Sequence, residues 1–243
     1  MTTSRIALIT GATKGIGFET ARQLAGQGIT VLIGARDAVR GQAAAATLAA
    51  EGLPVSVLAL DVTAAASIAA AVATVESLHG RLDILVNNAG ILDYGADTGP
   101  STTTIDTFRR IFDTNFFGLV AVTQAFLPLL RRSPAGRIVN LSSILGSHGE
   151  HADPNSTIHQ VRLPAYDCSK SAVNLFTIEL ALELKDTAIK VNAAHPGWVK
   201  TDMGGPDAQL EVAAGASTSV TLATLGANGP SGAYHHQGNH LRW

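Results

Sequence analysis

A single cysteine, Cys168, in 243 residues excludes an internal disulfide and a cysteine-ligated zinc site. Neither charge sign is in excess: 17 Lys and Arg face 19 Asp and Glu, a net charge of -2. Such a balance gives no reason to invoke nucleic acid or an anionic membrane as a partner. Long hydrophobic runs are also lacking. Met1-Thr2-Thr3-Ser4-Arg5 leads straight into a short apolar segment, so neither a secretory leader nor a membrane span is expected, and the default location is cytoplasmic. No linker divides the chain and no repeat is visible, which favours one domain over residues 1–243.

What the chain does have is a hydrophobic content of 46% and a mean hydropathy of +0.22, suited to a sheet covered on both faces. Strand patterns at 5–10, 29–35, 54–60, 82–87, 136–142 and 189–194 alternate with helical patterns at 15–27, 38–51, 64–79, 104–131 and 164–185. This order predicts an α/β fold, a doubly wound parallel sheet with helices on both faces. Two stretches break the rhythm. Residues 144–164 read as a long loop, with an insertion near 147–160, and residues 196–206 read as a mobile connection that opens a substrate-covering segment near 197–215.

Thr10-Gly11-Ala12-Thr13-Lys14-Gly15-Ile16-Gly17 lies at a strand-to-helix junction. Glycines there let the backbone turn tightly and approach a pyrophosphate, and the helix start offers free N–H groups to that anion. Further along, Tyr166 and Lys170 lie four residues apart on one helix face. A cation near a phenol favours phenolate; lowering the pKa by about three units takes roughly 4 kcal/mol, and such a tyrosine exchanges protons near neutral pH. Tyr and Lys at this spacing also occur on many ordinary amphipathic helices. Ser142-Ser143 ends a strand, where a hydroxyl either meets a carbonyl oxygen or makes a turn. Asn87-Asn88-Ala89-Gly90 ends another. Asn115 falls inside a long helical pattern, where a modest helix former marks a kink holding water, or nothing.

Taken together, Thr10-Gly11-x-x-x-Gly15-x-Gly17, Asn87-Asn88-Ala89-Gly90, Asn115, Ser143, Tyr166-x-x-x-Lys170 and Pro196-Gly197 resemble, in order, the motifs of the short-chain dehydrogenase/reductases. Ala35-Arg36-Asp37, Asn115-Phe116-Phe117-Gly118, Pro196-Gly197-Trp198-Val199-Lys200-Thr201-Asp202-Met203 and the closing Trp243 look most like the NADPH-dependent carbonyl reductases. The resemblance implies a single Rossmann domain and a role for each matching residue. Ser143 orients substrate, Tyr166 is the proton donor, Lys170 binds the nicotinamide ribose and lowers the tyrosine pKa, and Asn115 holds a relay water. It places cofactor contacts at Gly11, Thr13, Lys14, Gly15, Ile16, Gly17, Asn88, Ala89 and Gly90, and at Asp61 and Val62 beside adenine. Tyr166, Lys170, Pro196, Gly197, Val199 and Thr201 would hold the nicotinamide end.

The choice between nicotinamides turns on the end of the second strand. NAD-dependent members carry an acid there, whereas this chain has Ala35 followed by Arg36, and Asp37 reads as the cap of the next helix. Lys14, Arg36 and Arg40 are expected to converge on the 2'-phosphate of NADP. His235-His236-x-x-x-His240 suits chelation poorly, because adjacent strand residues point to opposite faces, so no metal is expected. Cys168 is expected to be a packing residue turned away from the chemistry. These readings predict an NADPH-dependent reductase of ketone, aldehyde or quinone carbonyls, with the long Ser143-to-Tyr166 interval placing extra chain at the cleft mouth. The alternatives are an alcohol dehydrogenase of a terpenoid, steroid or other secondary-metabolite pathway, and a non-catalytic NADPH sensor. The partner is a small-molecule carbonyl or alcohol; monomer and homo-oligomer stay open.

Overall fold

The computed structural model describes residues 4–243. One sheet gathers β1 (Ile6–Thr10), β2 (Thr30–Ala35), β3 (Val55–Ala59), β4 (Ile84–Asn87), β5 (Arg137–Leu141), β6 (Lys190–Ala194), β7 (Ala233–His236) and β8 (Asn239–His240). Their order is β3-β2-β1-β4-β5-β6-β7-β8, all parallel except the final β7–β8 pair. The helices are α1 (Gly15–Ala25), α2 (Ala38–Ala50), α3 (Ala65–His79), α4 (Ile105–Phe112), α5 (Gly118–Arg131), α6 (His148–Ala152), α7 (Pro164–Glu183) and α8 (Val212–Ala223).

Alternation along the strands divides the core in two. Leu8, Leu32, Leu85, Ile138 and Val191 face one side, where Val122, Phe126 and Leu180 cover them. Ile9, Ile33, Val86 and Val139 face the other, under Leu24, Leu48 and Val220. Each such side chain contributes about 1.5–3 kcal/mol on burial, enough to fix which helix lies on which face. Chain order reverses between β1 and β4, and the crevice beyond their carboxyl ends is where an open α/β sheet takes its ligand.

The expected strands all form, with ends within two residues of the sequence pattern. Three regions differ. The 104–131 pattern is α4 and α5 joined by a π-helical turn over Asp113–Phe117, with Asn115 buried inside it. The 105–131 stretch is long and apolar enough to cross a membrane by length and composition, and its buried face forms part of the core. The expected loop at 144–164 is partly helical: Ile144–Gly146 makes a 3-10 turn and α6 follows, capped by Ser147 accepting from the Glu150 N–H at 3.2 Å. Ser147-x-x-Glu150 is the start of a capping box, a local signal that outweighs the Gly and His around it. Finally, α8 had no sequence signal to announce it. Its N-cap, Glu211, makes no side-chain cap and its residues are small, so packing against α1 and Val199 sets it in place.

Candidate active site

The glycine turn follows β1 directly and opens α1. A Cβ on Gly11, at φ +64, would lie 2.9 Å from Ala89 Cα, and one on Gly17 would lie 2.4 Å from Asn88 Nδ2. The turn is therefore pressed against the end of β4. Asn88 completes the join, donating to Thr10 O at 2.9 Å and Gly11 O at 3.1 Å, while Thr10 Oγ1 accepts the Asn88 and Ala89 N–H groups. Lys14, the N-cap of α1, makes no side-chain cap and the first turn holds no acid, so the N–H groups at Gly15, Ile16 and Gly17 remain a donor set for an anion. Beside it lies a cavity of about 620 Å³ lined by Thr13, Lys14, Phe18, Arg40 and Asp202. Backbone donors backed by cations fit the phosphates of a dinucleotide.

Two of the three expected cations line this cavity. Lys14 and Arg40 share the cavity, but Lys14 is ion-paired with Asp202 and Arg40 lies 3.7 Å from Asp37. Arg36 is exposed at the end of β2. Asp37 caps α2 as the sequence suggests, accepting the Arg40 N–H at 3.0 Å. Asp61, just past β3, accepts from Thr63 through its N–H and hydroxyl, and Val62 packs against Gly118.

The expected chemical group comes together at the ends of β4 and β5. Tyr166 and Lys170 project from α7 with Lys170 Nζ 5.6 Å from the phenol centroid, and both are buried, at 8% and 4% exposure. Lys170 Nζ donates to Leu141 O at 2.8 Å and lies 3.6 Å from where a Gly90 Cβ would be. Ser143, two residues beyond β5, lies beside the Tyr166 side chain within hydrogen-bonding reach, and its Oγ accepts the Leu145 N–H at 3.3 Å. Asn115 uses the π-turn to bracket the chain after β4: its Oδ1 accepts the Ile91 N–H at 2.8 Å, and its Nδ2 donates to Ile91 O and Ser169 Oγ. At the end of β6, Pro196 is buried and Gly197 stands at φ +87. Val199 bridges to Leu210, and Thr201 approaches Gly15 of the glycine turn.

The family model for short chain dehydrogenase matches residues 5–211. The chain belongs to that family. It is accordingly an oxidoreductase. A short-chain dehydrogenase of Penicillium roqueforti is 38% identical over 230 residues, covering 92% of this chain and 90% of the relative. Carbonyl reductase 1 (NADPH) of Bos taurus is 34% identical, with 98% of each chain covered. Among solved structures, the NADPH-bound carbonyl reductase from chicken fatty liver superposes with a TM-score of 0.85 at 30% identity, covering 99% of each chain.

In this short-chain dehydrogenase the electrostatics of the pair differ from the sequence expectation. Burial pushes the Tyr166 phenol above its ordinary range, and the Ser143 hydrogen bond opposes that only in part. Burial pushes Lys170 down to about 8. Tyr166 is thus held protonated beside a lysine that is still mostly charged at neutral pH.

Several supporting residues carry no local signal. Asp97, only 1% exposed, reaches across the fold to the start of α7, where its carboxylate accepts the Ala165 N–H at 3.0 Å and the Tyr166 N–H at 2.9 Å. Leu163, the N-cap, makes no side-chain cap, so a distant acid does that work and complements the helix dipole. Gly146 lets its turn close on α7, since a Cβ there would lie 2.7 Å from the Lys170 carbonyl carbon. Asn87, Asn140, Thr123 and Thr177 form a buried ladder of side-chain hydrogen bonds joining β4 and β5 to α5 and α7. Cys168 is exposed, not packed: α7 buries Tyr166, Ser169, Lys170 and Val173 and turns Cys168 outward. The 196–206 connection is held to its neighbours, with Lys200 N–H on Leu210 O and Trp198 Nε1 on Gly204 O.

Proposed function

We propose that this enzyme is an NADPH-dependent reductase of ketone, aldehyde or quinone carbonyls. The observation that carries the reading is the gathering of Ser143, Tyr166, Lys170 and Asn115 beside the glycine turn, in a crevice with cationic side chains at its far end. Bound NADPH would supply the hydride for the carbonyl carbon. Tyr166 donates the proton to the carbonyl oxygen, and Ser143 Oγ steadies that oxygen by a hydrogen bond. Lys170 faces the phenol with its charge and stabilises the phenolate left behind. Asn115 holds the chain at Ile91, which keeps the end of β4 against the site.

Lys14, Arg36 and Arg40 would hold the 2'-phosphate, with Lys14 leaving Asp202 to do so. Asp61 and Val62 would flank adenine. Gly11, Thr13, Gly15, Ile16, Gly17, Asn88, Ala89 and Gly90 would line the cofactor's path, with Pro196, Gly197, Val199 and Thr201 at the nicotinamide. The test is NADPH and NADH oxidation across a panel of carbonyls. Turnover with a clear preference for NADPH is expected; equal use of the two nucleotides removes the 2'-phosphate argument, and tight NADPH binding without turnover of any carbonyl favours a sensor.

A further inference from the structure

His195 belongs to none of the motifs above, yet it stands where the serine and the cofactor loop meet. It follows β6, and its own backbone is tied into the sheet: its N–H donates to His235 O at 2.8 Å. Its side-chain Nδ1 accepts two main-chain N–H groups, that of Ile144 at 3.2 Å and that of Gly197 at 3.4 Å. Ile144 is the residue after Ser143, and Gly197 begins the segment assigned to the nicotinamide. An imidazole that accepts through Nδ1 carries its hydrogen on Nε2 and cannot be cationic.

The surroundings keep it neutral. The His236 ring lies 4.8 Å away, and His236 Nδ1 bonds to His195 O at 2.9 Å. Burial, with His236 beside it, pushes the His195 pKa down to about 3. Gly197 has no room for a Cβ, which would lie 3.0 Å from His236 Cε1, so the turn, the two rings and the start of the 3-10 segment form one packed unit.

We propose that His195 is a positioning residue, whose Nδ1 couples the Ser143–Ile144 turn to the Pro196–Gly197 turn and so fixes the serine hydroxyl relative to the loop at the nicotinamide. This rests on the reductase reading above. An acceptor is what the two amides require at this point, and side-chain bulk alone does not provide one.

The test compares His195→Leu, which keeps bulk and loses the acceptor, with His195→Asn, whose Oδ1 takes the place of Nδ1 in a smaller side chain. Leucine should lower kcat about ten-fold with the carbonyl KM little changed, and asparagine should restore it to within about three-fold of the unmutated enzyme. In the unmutated protein, the His195 ring nitrogens should show the neutral Nε2–H tautomer at every pH from 5 to 9, a measurement independent of activity and of how the variants fold. A leucine variant as active as the asparagine one, or a His195 ring that titrates near its ordinary ~6.5, overturns the positioning role alone. An unmutated protein that reduces no carbonyl with NADPH overturns the reductase reading and this inference with it.

Discussion

The two halves of the crevice are built from different materials. The cofactor side, from β1 to α2, is made of backbone: glycines that let the turn press against β4, helix N–H groups, and a few exposed cations at the rim. The substrate side, from β5 through α6 to the 198–211 segment, is made of side chains reaching across the sequence to main-chain groups, such as Asp97 on α7 and His195 on Ile144. Backbone geometry of the first kind serves any dinucleotide of the right length. Contacts of the second kind depend on individual side chains, and they set how the tyrosine and serine are presented.

The contrast breaks most sharply at Gly17. In Gly17→Val the added side chain would meet Asn88 and part the turn from β4, so binding of NADPH and NADH alike should weaken by about 100-fold or more in a titration, with the fold retained by circular dichroism. Unchanged affinity would mean that the turn does not depend on close backbone approach. Arg36→Asp acts at the rim, not the cradle. It should lower the preference for NADPH over NADH by about 100-fold, because a charge-assisted bond to the phosphate becomes a repulsion. An equal loss for both nucleotides would place Arg36 away from the 2'-phosphate.

The smallest effect lies on the substrate side. Burial pushes the Asp167 carboxyl up from 3.8 to about 7, and one of its oxygens has no hydrogen-bond partner. The folded protein therefore keeps a proton that the unfolded chain releases, so stability present below the unfolded pKa is lost as pH rises through about 7. Asp167→Asn removes that loss. Melting should rise by about 3 °C at pH 8 and stay unchanged at pH 4. A gain of the same size at both pH values would point to packing instead of ionisation.

The same contrast explains what the sequence pattern made legible. The glycine turn, the strands and the Tyr166–Lys170 spacing are local features, each written within a few residues, and the fold puts them where those patterns imply. Asp97 was not legible, because an acid that caps a helix almost seventy residues later leaves no periodic trace. Gly146 is one of two glycines in the polar 144–164 stretch, and only its approach to Lys170 gives it a reason. Helical angle turns Cys168 away from the chemistry, and that side of α7 faces solvent, so the residue is exposed where packing is expected. The cations at the rim are legible as charge, but the pairing of Lys14 with Asp202, far along the chain, is not.

The claim on which both halves depend is that Tyr166 gives up its proton during carbonyl reduction. The direct measurement is turnover of one accepted carbonyl by Tyr166→Phe and the unmutated enzyme, with NADPH affinity taken from cofactor fluorescence on the same samples. Turnover should fall by about 10³-fold while affinity stays within about three-fold. A phenylalanine variant that binds NADPH and reduces the carbonyl at the unmutated rate would contradict the account.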